Sequence, residues 1–190
     1  MLLSYENLAG ILIQWMEGDR KHQGLKALQG MIWEEGYQTG AFIPELYDDV
    51  VPAFRRWHQE SLTLALYSSG SEQAQRLLLA HTTDGDLTSM ISHCFDTGIG
   101  SKIHPASYRH IADCLRLHSE EILFLSDAES ELDAATTTGL QAIHVVRPGT
   151  NPSIRHPHCS TFNDLCRADM PVTEINALAT PLKEHPPARL

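Results

Sequence analysis

The sequence predicts an α/β protein in which helices flank a parallel sheet. Short apolar runs at residues 62–67, 122–125 and 142–146 have the composition of strands that are buried on both faces, as in parallel sheets. Helical stretches alternate with these runs. Strands that alternate with helices are typical of open α/β sheets with right-handed crossovers.

Length and charge narrow the functional classes. The chain has 190 residues, enough for one compact domain and a small appendage. Its formal net charge of −10 argues against non-specific binding to nucleic acid or to an anionic membrane surface. The sequence shows no apolar run of about 20 residues and no export signal at its start. We therefore expect a cytoplasmic monomer that binds neither nucleic acid nor membranes.

Three helices are predicted before the first strand. Apolar side chains recur at helical spacing over residues 8–16 and again over residues 25–33, and Gly18 and Gly36 follow as stop signals. Pro52 suits the first turn of a third helix, which continues to Trp57.

The first strand ends at Ser68, Ser69, Gly70 and Ser71, and a helix is predicted over residues 72–81. Hydroxyl and backbone N–H groups at a helix start suit a phosphate, because the helix N-terminus carries partial positive charge. A serine that caps the helix needs no ligand and is the more common explanation of this feature taken alone.

Lys102 lies in a loop before a helix predicted over residues 107–117. A lysine in a loop is usually solvated. It would neutralise a phosphoryl group only if it faced the same pocket as the serines.

The second strand ends at Ser126 and Asp127, and Gly139 closes the helix predicted over residues 131–138. A carboxylate at a strand end is a ligand that Mg²⁺ prefers. Glu131 and Asp133 are explained as well by the helix dipole, which favours acids in the first turn. Ligands of open α/β sheets bind outside the carboxyl ends of the strands, so Ser68, Ser69 and Asp127 are candidate site residues.

These features, in this order, resemble the second, third and fourth motifs of the haloacid dehalogenase superfamily. Longer segments look like the enolase-phosphatases, also called acireductone synthases, and the resemblance extends from about Leu8 to Leu165. The similar segments are LKALQGMIWEEGY at 25–37, DVVPAFRRW at 49–57, ALYSSGSEQAQRLLLAHTTDGDL at 65–87, FDTGIGSKIHPASYRHIA at 95–112 and ILFLSDAESELDAA at 122–135.

The resemblance implies a function in methionine salvage. Enolase-phosphatases use Mg²⁺ to enolise and dephosphorylate 2,3-diketo-5-methylthiopentyl-1-phosphate, which gives an acireductone and phosphate. By the same resemblance Ser68 and Ser69 would bind this small phosphorylated substrate, Lys102 would hold its phosphate, and Asp127 would ligate Mg²⁺, with Glu131 as a second candidate near the metal.

The resemblance also implies a domain organisation. It predicts the remnant of a helical cap domain over residues 1–47, a haloacid dehalogenase-like Rossmannoid core over 48–168 and a loose C-terminal tail over 169–190. The alternative to an enzyme is a non-catalytic module of this fold that binds a phosphorylated metabolite or a protein.

One family feature is absent from these 190 residues. The family opens with a strand that ends in an Asp-x-Glu-Gly-Thr type motif, which supplies the nucleophile, and we find no such segment. We therefore identify no catalytic nucleophile, and we expect an N-terminally truncated member with negligible turnover alone. In the superfamily that first strand is central, between the strands that here end at Ser68 and Asp127. Its absence leaves unpaired edges, unless a partner supplies a strand or the sheet repairs itself.

Overall fold

The computed structural model describes residues 5–18, 22–165 and 176–179. The chain separates into two compact units, Met1–Phe42 and Ile43–Leu190. The first unit contains helices α1 (Tyr5–Glu17) and α2 (Gln23–Gln38), where the apolar spacing predicted helices. Among the helices that the structure describes, none combines the length and apolar content that a bilayer crossing requires.

The second unit is an α/β fold around a six-stranded sheet of order β2-β1-β6-β3-β4-β5, in which every paired neighbour is parallel. This confirms the predicted fold class. Its strands are β1 (Ala65–Tyr67), β2 (His93–Phe95), β3 (Ile122–Ser126), β4 (Gln141–Val145), β5 (His158–Cys159) and β6 (Asn176–Ala179). Its helices are α3 (Val50–Gln59), α4 (Glu72–Ala80), α5 (Pro105–Leu115) and α6 (Glu129–Thr136).

Strand β1 lies within the first apolar run, and β3 and β4 each extend one residue beyond theirs. Strands β1 and β3 are buried along their whole length. Strands β2 and β5 were not predicted. They are three and two residues long, and each begins with an exposed histidine, so neither carries an apolar run that could be recognised.

Strand β6 lies between β1 and β3. Leu178 is paired in parallel register with Ala65 on one side and with Phe124 on the other. These residues fall in the segment that we predicted to be a loose tail, so the prediction does not hold for residues 176–179. The sheet is continuous where the resemblance predicted a missing strand. Asn-Ala-Leu-Ala has no β-branched or aromatic residue, so its composition gives no strand signal.

Three aromatic side chains join the sheet to helix α5. Tyr67, Tyr108 and Phe124 are each 0% exposed. Tyr108 meets the ring of Tyr67 at 5.7 Å and that of Phe124 at 5.0 Å, both edge to face, a favourable arrangement of aromatic rings. The packing fixes the start of α5 against the centre of the sheet.

A buried ion pair ties the start of α3 to the chain that follows β4. Asp49 Oδ2 lies 2.8 Å from Arg147 Nη2 and accepts the backbone N–H of Phe162 at 2.6 Å. The guanidinium group of Arg147 stacks on the rings of Tyr47 and Phe162, with its central carbon 4.3 and 5.1 Å from their centres. Burial by itself raises the pKa of Asp49. The bonds from Arg147 and Phe162, with the charge of Arg147, outweigh burial, so the net pKa of Asp49 is lowered.

Replacing Asp49 with Asn is expected to lower the free energy of unfolding at pH 7 by about 3 kcal/mol, because it leaves the largely buried Arg147 without its counter-charge. A carboxylate with a lowered pKa in the folded state stabilises the protein above its ordinary pKa of 3.8, and this contribution is lost as the pH falls through the folded value. Urea unfolding of both proteins from pH 7 to pH 3 should show that the difference between their free energies of unfolding becomes smaller at acid pH. A difference that stays constant would contradict the role assigned to Asp49.

Candidate active site

The serine loop follows β1. Ser71 caps helix α4, since its side chain accepts the N–H of Ala74 at 3.2 Å. Ser68 Oγ accepts the N–H of Gly70 at 3.1 Å, and the exposed Ser69 hydroxyl has no partner among the residues that the structure describes. Capping and ligand binding are therefore not competing explanations here. One serine caps the helix, and the two that precede it are available to a ligand.

Gln75 holds the serine loop in place. The sequence did not predict this role. Its Nε2 donates to the carbonyl of Gly70 at 3.0 Å and to that of Phe95 at 2.8 Å, so it ties the serine loop to the end of β2. It is 6% exposed, and within the described part of the chain its Oε1 has no hydrogen-bond partner. A polar side chain one turn into an amphipathic helix gives no sequence signal for such a role.

The loop that carries Lys102 is held through its backbone. The carbonyl of Gly100 accepts the hydroxyl of Tyr67 at 2.9 Å, and the carbonyl of Lys102 accepts the hydroxyl of Tyr108 at 2.6 Å. Burial raises the pKa of both tyrosines, so both remain protonated donors at neutral pH. Gly100 has a φ of +143°, and a Cβ there would overlap the Ser107 side chain, so this turn requires glycine.

The side chain of Lys102 points toward the end of β3. Its Nζ lies 2.8 Å from Glu131 Oε2, and the two side chains are only 12% and 14% exposed. Ser126 Oγ donates to the same carboxylate oxygen at 2.8 Å. The Nζ also lies 5.8 Å from the centre of the Tyr67 ring, next to the serine loop. Lys102 is therefore not a solvated lysine, and Glu131 joins its loop to the end of β3.

Asp127 and Glu131 differ in whether their carboxylate oxygens are free to bind a cation. Asp127 is exposed, and within the described residues its carboxylate makes no hydrogen bond or ion pair. The Oε2 of Glu131 already accepts from Lys102 and Ser126. The Asp127 carboxylate is therefore free for a cation, whereas Oε2 of Glu131, our second candidate near the metal, is occupied by Lys102 and Ser126.

The end of β3 offers a cation the free carboxylate of Asp127 rather than a complete cage, since no group of three or more His, Cys, Asp or Glu that could hold a metal occurs among the described residues. This fits Mg²⁺, which commonly binds through one or two carboxylates and completes its shell with water and phosphate oxygens. In the same part of the chain, neither Ser68 nor Asp127 forms a hydrogen bond or an ion pair with Lys102. The Nζ of Lys102 lies near the Tyr67 ring, which precedes Ser68 in sequence, and contacts Glu131.

Sequence comparison relates the chain to haloacid dehalogenase-like hydrolases and to enolase-phosphatases. Residues 10–139 match the family model described as haloacid dehalogenase-like hydrolase. The chain is 46% identical over 160 residues to enolase-phosphatase E1 of Sorangium cellulosum, which covers 83% of this chain and 69% of that protein. It is 51% identical over 155 residues to enolase-phosphatase E1 of Gluconacetobacter diazotrophicus, covering 80% and 66%.

Among solved structures, the chain resembles the UTR4 protein of Saccharomyces cerevisiae with a TM-score of 0.76 and 30% identity, over 84% of this chain and 75% of that one. It also resembles the L-2-haloacid dehalogenase RSc1362 with a TM-score of 0.56 and 20% identity, over 64% and 55% of the two chains. The second likeness concerns the fold alone.

Proposed function

We propose that this chain, which belongs to the enolase-phosphatase family of haloacid dehalogenase-like hydrolases, acts in methionine salvage on 2,3-diketo-5-methylthiopentyl-1-phosphate. The observation that carries the proposal is the contact of Lys102 Nζ with Glu131 Oε2, 2.8 Å apart, together with the bond of 2.8 Å to the same oxygen from Ser126, which immediately precedes the free carboxylate of Asp127. A cation and a metal-binding acid at one end of a parallel sheet are the groups that a phosphate ester with a bound Mg²⁺ requires.

Each residue has a separate task in this proposal. Lys102 neutralises the phosphate, and Glu131 holds the ammonium group in place before the substrate arrives. The hydroxyls of Ser68 and Ser69 bind and orient the substrate. Asp127 holds Mg²⁺, which, when bound, neutralises charge on the phosphoryl oxygens.

We further assign the helical unit Met1–Phe42 as part of the family's cap domain. Closure of a lid or cap excludes water from a reacting phosphate ester. Helices α1 and α2 expose several large apolar side chains. The exposed side chains are Leu8, Ile13, Met16, Met31, Ile32 and Trp33.

The nucleophile distinguishes the enzyme from a binding module. The 190 residues contain no Asp-x-Glu-Gly-Thr segment, so we expect them to bind the substrate without turning it over. A fusion that places such a strand ahead of Met1 and ends the chain after residue 175, so that the added strand can take the position of β6 between β1 and β3, is expected to release phosphate in a Mg²⁺-dependent and Lys102-dependent manner. A fusion that binds the substrate but releases none would favour the module.

Replacing Lys102 with Ala is expected to weaken the binding of inorganic phosphate by about 10- to 100-fold, since a hydrogen bond to a charged group is worth about 1.5–3 kcal/mol. Calorimetric titration in the presence of Mg²⁺ measures the change. Arg109, an exposed cation on α5, is the matched control, and Arg109→Ala should bind phosphate as the unaltered chain does.

A double variant separates binding from stability. Lys102→Ala alone leaves Glu131 largely buried without its partner and should also lower the free energy of unfolding. Adding Glu131→Gln removes that uncompensated charge, so stability should recover while phosphate affinity stays low. If the double variant bound phosphate as tightly as the original chain, Lys102 would not be the phosphate-holding residue.

A further inference from the structure

The peptide unit between Asp127 and Ala128 is held from both sides. Its N–H, on Ala128, donates to Ser126 Oγ at 3.2 Å. Its carbonyl, on Asp127, lies 2.9 Å from Nε2 of His144. A peptide unit is planar, so fixing both of its polar groups fixes the orientation of the backbone that carries the Asp127 carboxylate.

His144 is built into the sheet for this contact. It lies on β4 in register with Ser126 of β3, and it is 1% exposed. Its other ring nitrogen, Nδ1, accepts the backbone N–H of Ser153 at 2.9 Å. Because Nδ1 accepts a hydrogen bond, it carries no proton. The ring is then neutral with its proton on Nε2, and this N–H donates to the carbonyl of Asp127.

The segment beyond Ser153 is also anchored. The Ser153 hydroxyl bonds to Glu129 of α6 and accepts the N–H of Arg155. Arg155 forms ion pairs with Glu129 and with Asp133, both at 2.7 Å. The acceptor side of the His144 ring is therefore bonded to a fixed backbone, and the ring cannot turn without losing both of its bonds.

We propose that His144 is a positioning residue for the metal-binding acid, and that its Nε2–H bond to the Asp127 carbonyl orients the Asp127 carboxylate toward the cation. The role deepens the proposed function and rests on it for the identity of the cation. Residues that orient a metal ligand commonly contribute about 10- to 100-fold to metal affinity. His144 touches neither substrate nor metal and acts only through Asp127.

Each of two variants keeps one of the two hydrogen bonds of the His144 ring and loses the other. His144→Gln retains a donor at about the reach of Nε2 and can bond the Asp127 carbonyl, but it loses the acceptor for Ser153. His144→Asn retains an acceptor near the position of Nδ1 and loses the donor to Asp127. His158 is the register partner of His144 on β5 and is exposed, so His158→Asn is the matched control.

The test is a Mg²⁺ titration of the 190-residue chain, followed by the NMR shifts of the Asp127 and Ala128 amides. His144→Asn should lower Mg²⁺ affinity about tenfold, whereas His144→Gln and His158→Asn should stay within about threefold of the original chain. A role in folding alone would not separate the two His144 variants in this order. Equal affinities for Asn and Gln, or unchanged affinity in His144→Asn, would overturn the proposal.

Two readouts do not require the metal. Nitrogen-15 shifts of the imidazoles should show His144 neutral with its proton on Nε2, and a proton on Nδ1 would overturn the proposal even if a variant failed to fold. Without Mg²⁺, the Ala128 amide should have an order parameter of about 0.85 in the original chain and in His144→Gln, and below about 0.6 in His144→Asn. Equal order parameters of the Ala128 amide in His144→Asn and in the original chain would also overturn the proposal. If the original chain did not bind Mg²⁺ but the Ala128 order parameters were as expected, the result would instead count against the metal role of Asp127.

Discussion

Replacing Leu178 with proline is expected to abolish cooperative folding of the unit Ile43–Leu190. The backbone of Leu178 is paired with Ala65 on one side and with Phe124 on the other, at the centre of the sheet. Proline has no N–H to donate, and within sheets it is confined to edges, strand starts and bulges. Each buried backbone group left without a partner costs about 1–3 kcal/mol, and domains have about 5–15 kcal/mol of stability in all.

Urea unfolding followed by circular dichroism measures this effect. Leu178→Ala, which keeps the backbone donor, is the matched control and should unfold cooperatively. A chain that ends after residue 180 retains β6 and should also fold, whereas one that ends after residue 175 should not. Unchanged unfolding of Leu178→Pro would show that β1 and β3 do not depend on β6.

The second large effect is expected from Asp127→Asn. The substitution removes the free carboxylate at the end of β3, and we expect Mg²⁺ affinity to fall at least 100-fold, about 2.7 kcal/mol. The exposed Asp127 side chain makes no bond to the described residues, so the free energy of unfolding should barely change. The combination of lost affinity and kept stability marks a ligand-binding residue.

Calorimetric titration with Mg²⁺, alongside thermal unfolding, measures both quantities. Asp133→Asn is the matched control, because Asp133 lies on α6 close to Asp127 in sequence but is paired with Arg155 and His156. It should retain Mg²⁺ affinity. If Asp133→Asn lost the metal and Asp127→Asn kept it, the metal-binding residue would have to be reassigned.

The sequence predicted those parts of the fold that local patterns encode. The runs that became β1 and β3 are apolar because both faces of those strands are buried, and β4 is buried at three of its five positions, so this burial is visible in composition. Strand β6 could not be predicted, since Asn-Ala-Leu-Ala is stabilised by the ladders on either side and not by its own preference. Which segment fills a gap in a sheet is decided by tertiary pairing.

The residues of the candidate site also fall into those that the sequence predicted and those that only the structure shows. Ser68, Lys102 and Asp127 lie next to the ends of helices or strands, at positions that can be recognised from the sequence. Of the partners that hold them, Glu131 was predicted only as a candidate near the metal, and Gln75 and His144 were not predicted. Gln75, Glu131 and His144 act through contacts across the fold, which include those to Phe95, Lys102 and Asp127 respectively, and these contacts exist only once the elements have packed. The sequence indicated the candidate ligand-binding groups, and the structure adds the groups that we propose to orient them.

The central claim is that the serine loop, the Lys102 loop and the end of β3 bind one phosphate together with one Mg²⁺. NMR titration of the 190-residue chain with inorganic phosphate, with and without Mg²⁺, tests it directly. We predict that the amides of Ser69, Lys102 and Asp127 shift along one saturable curve, and that Mg²⁺ moves this curve to lower phosphate concentration. Three unrelated curves, or shifts confined to one loop, would contradict the account.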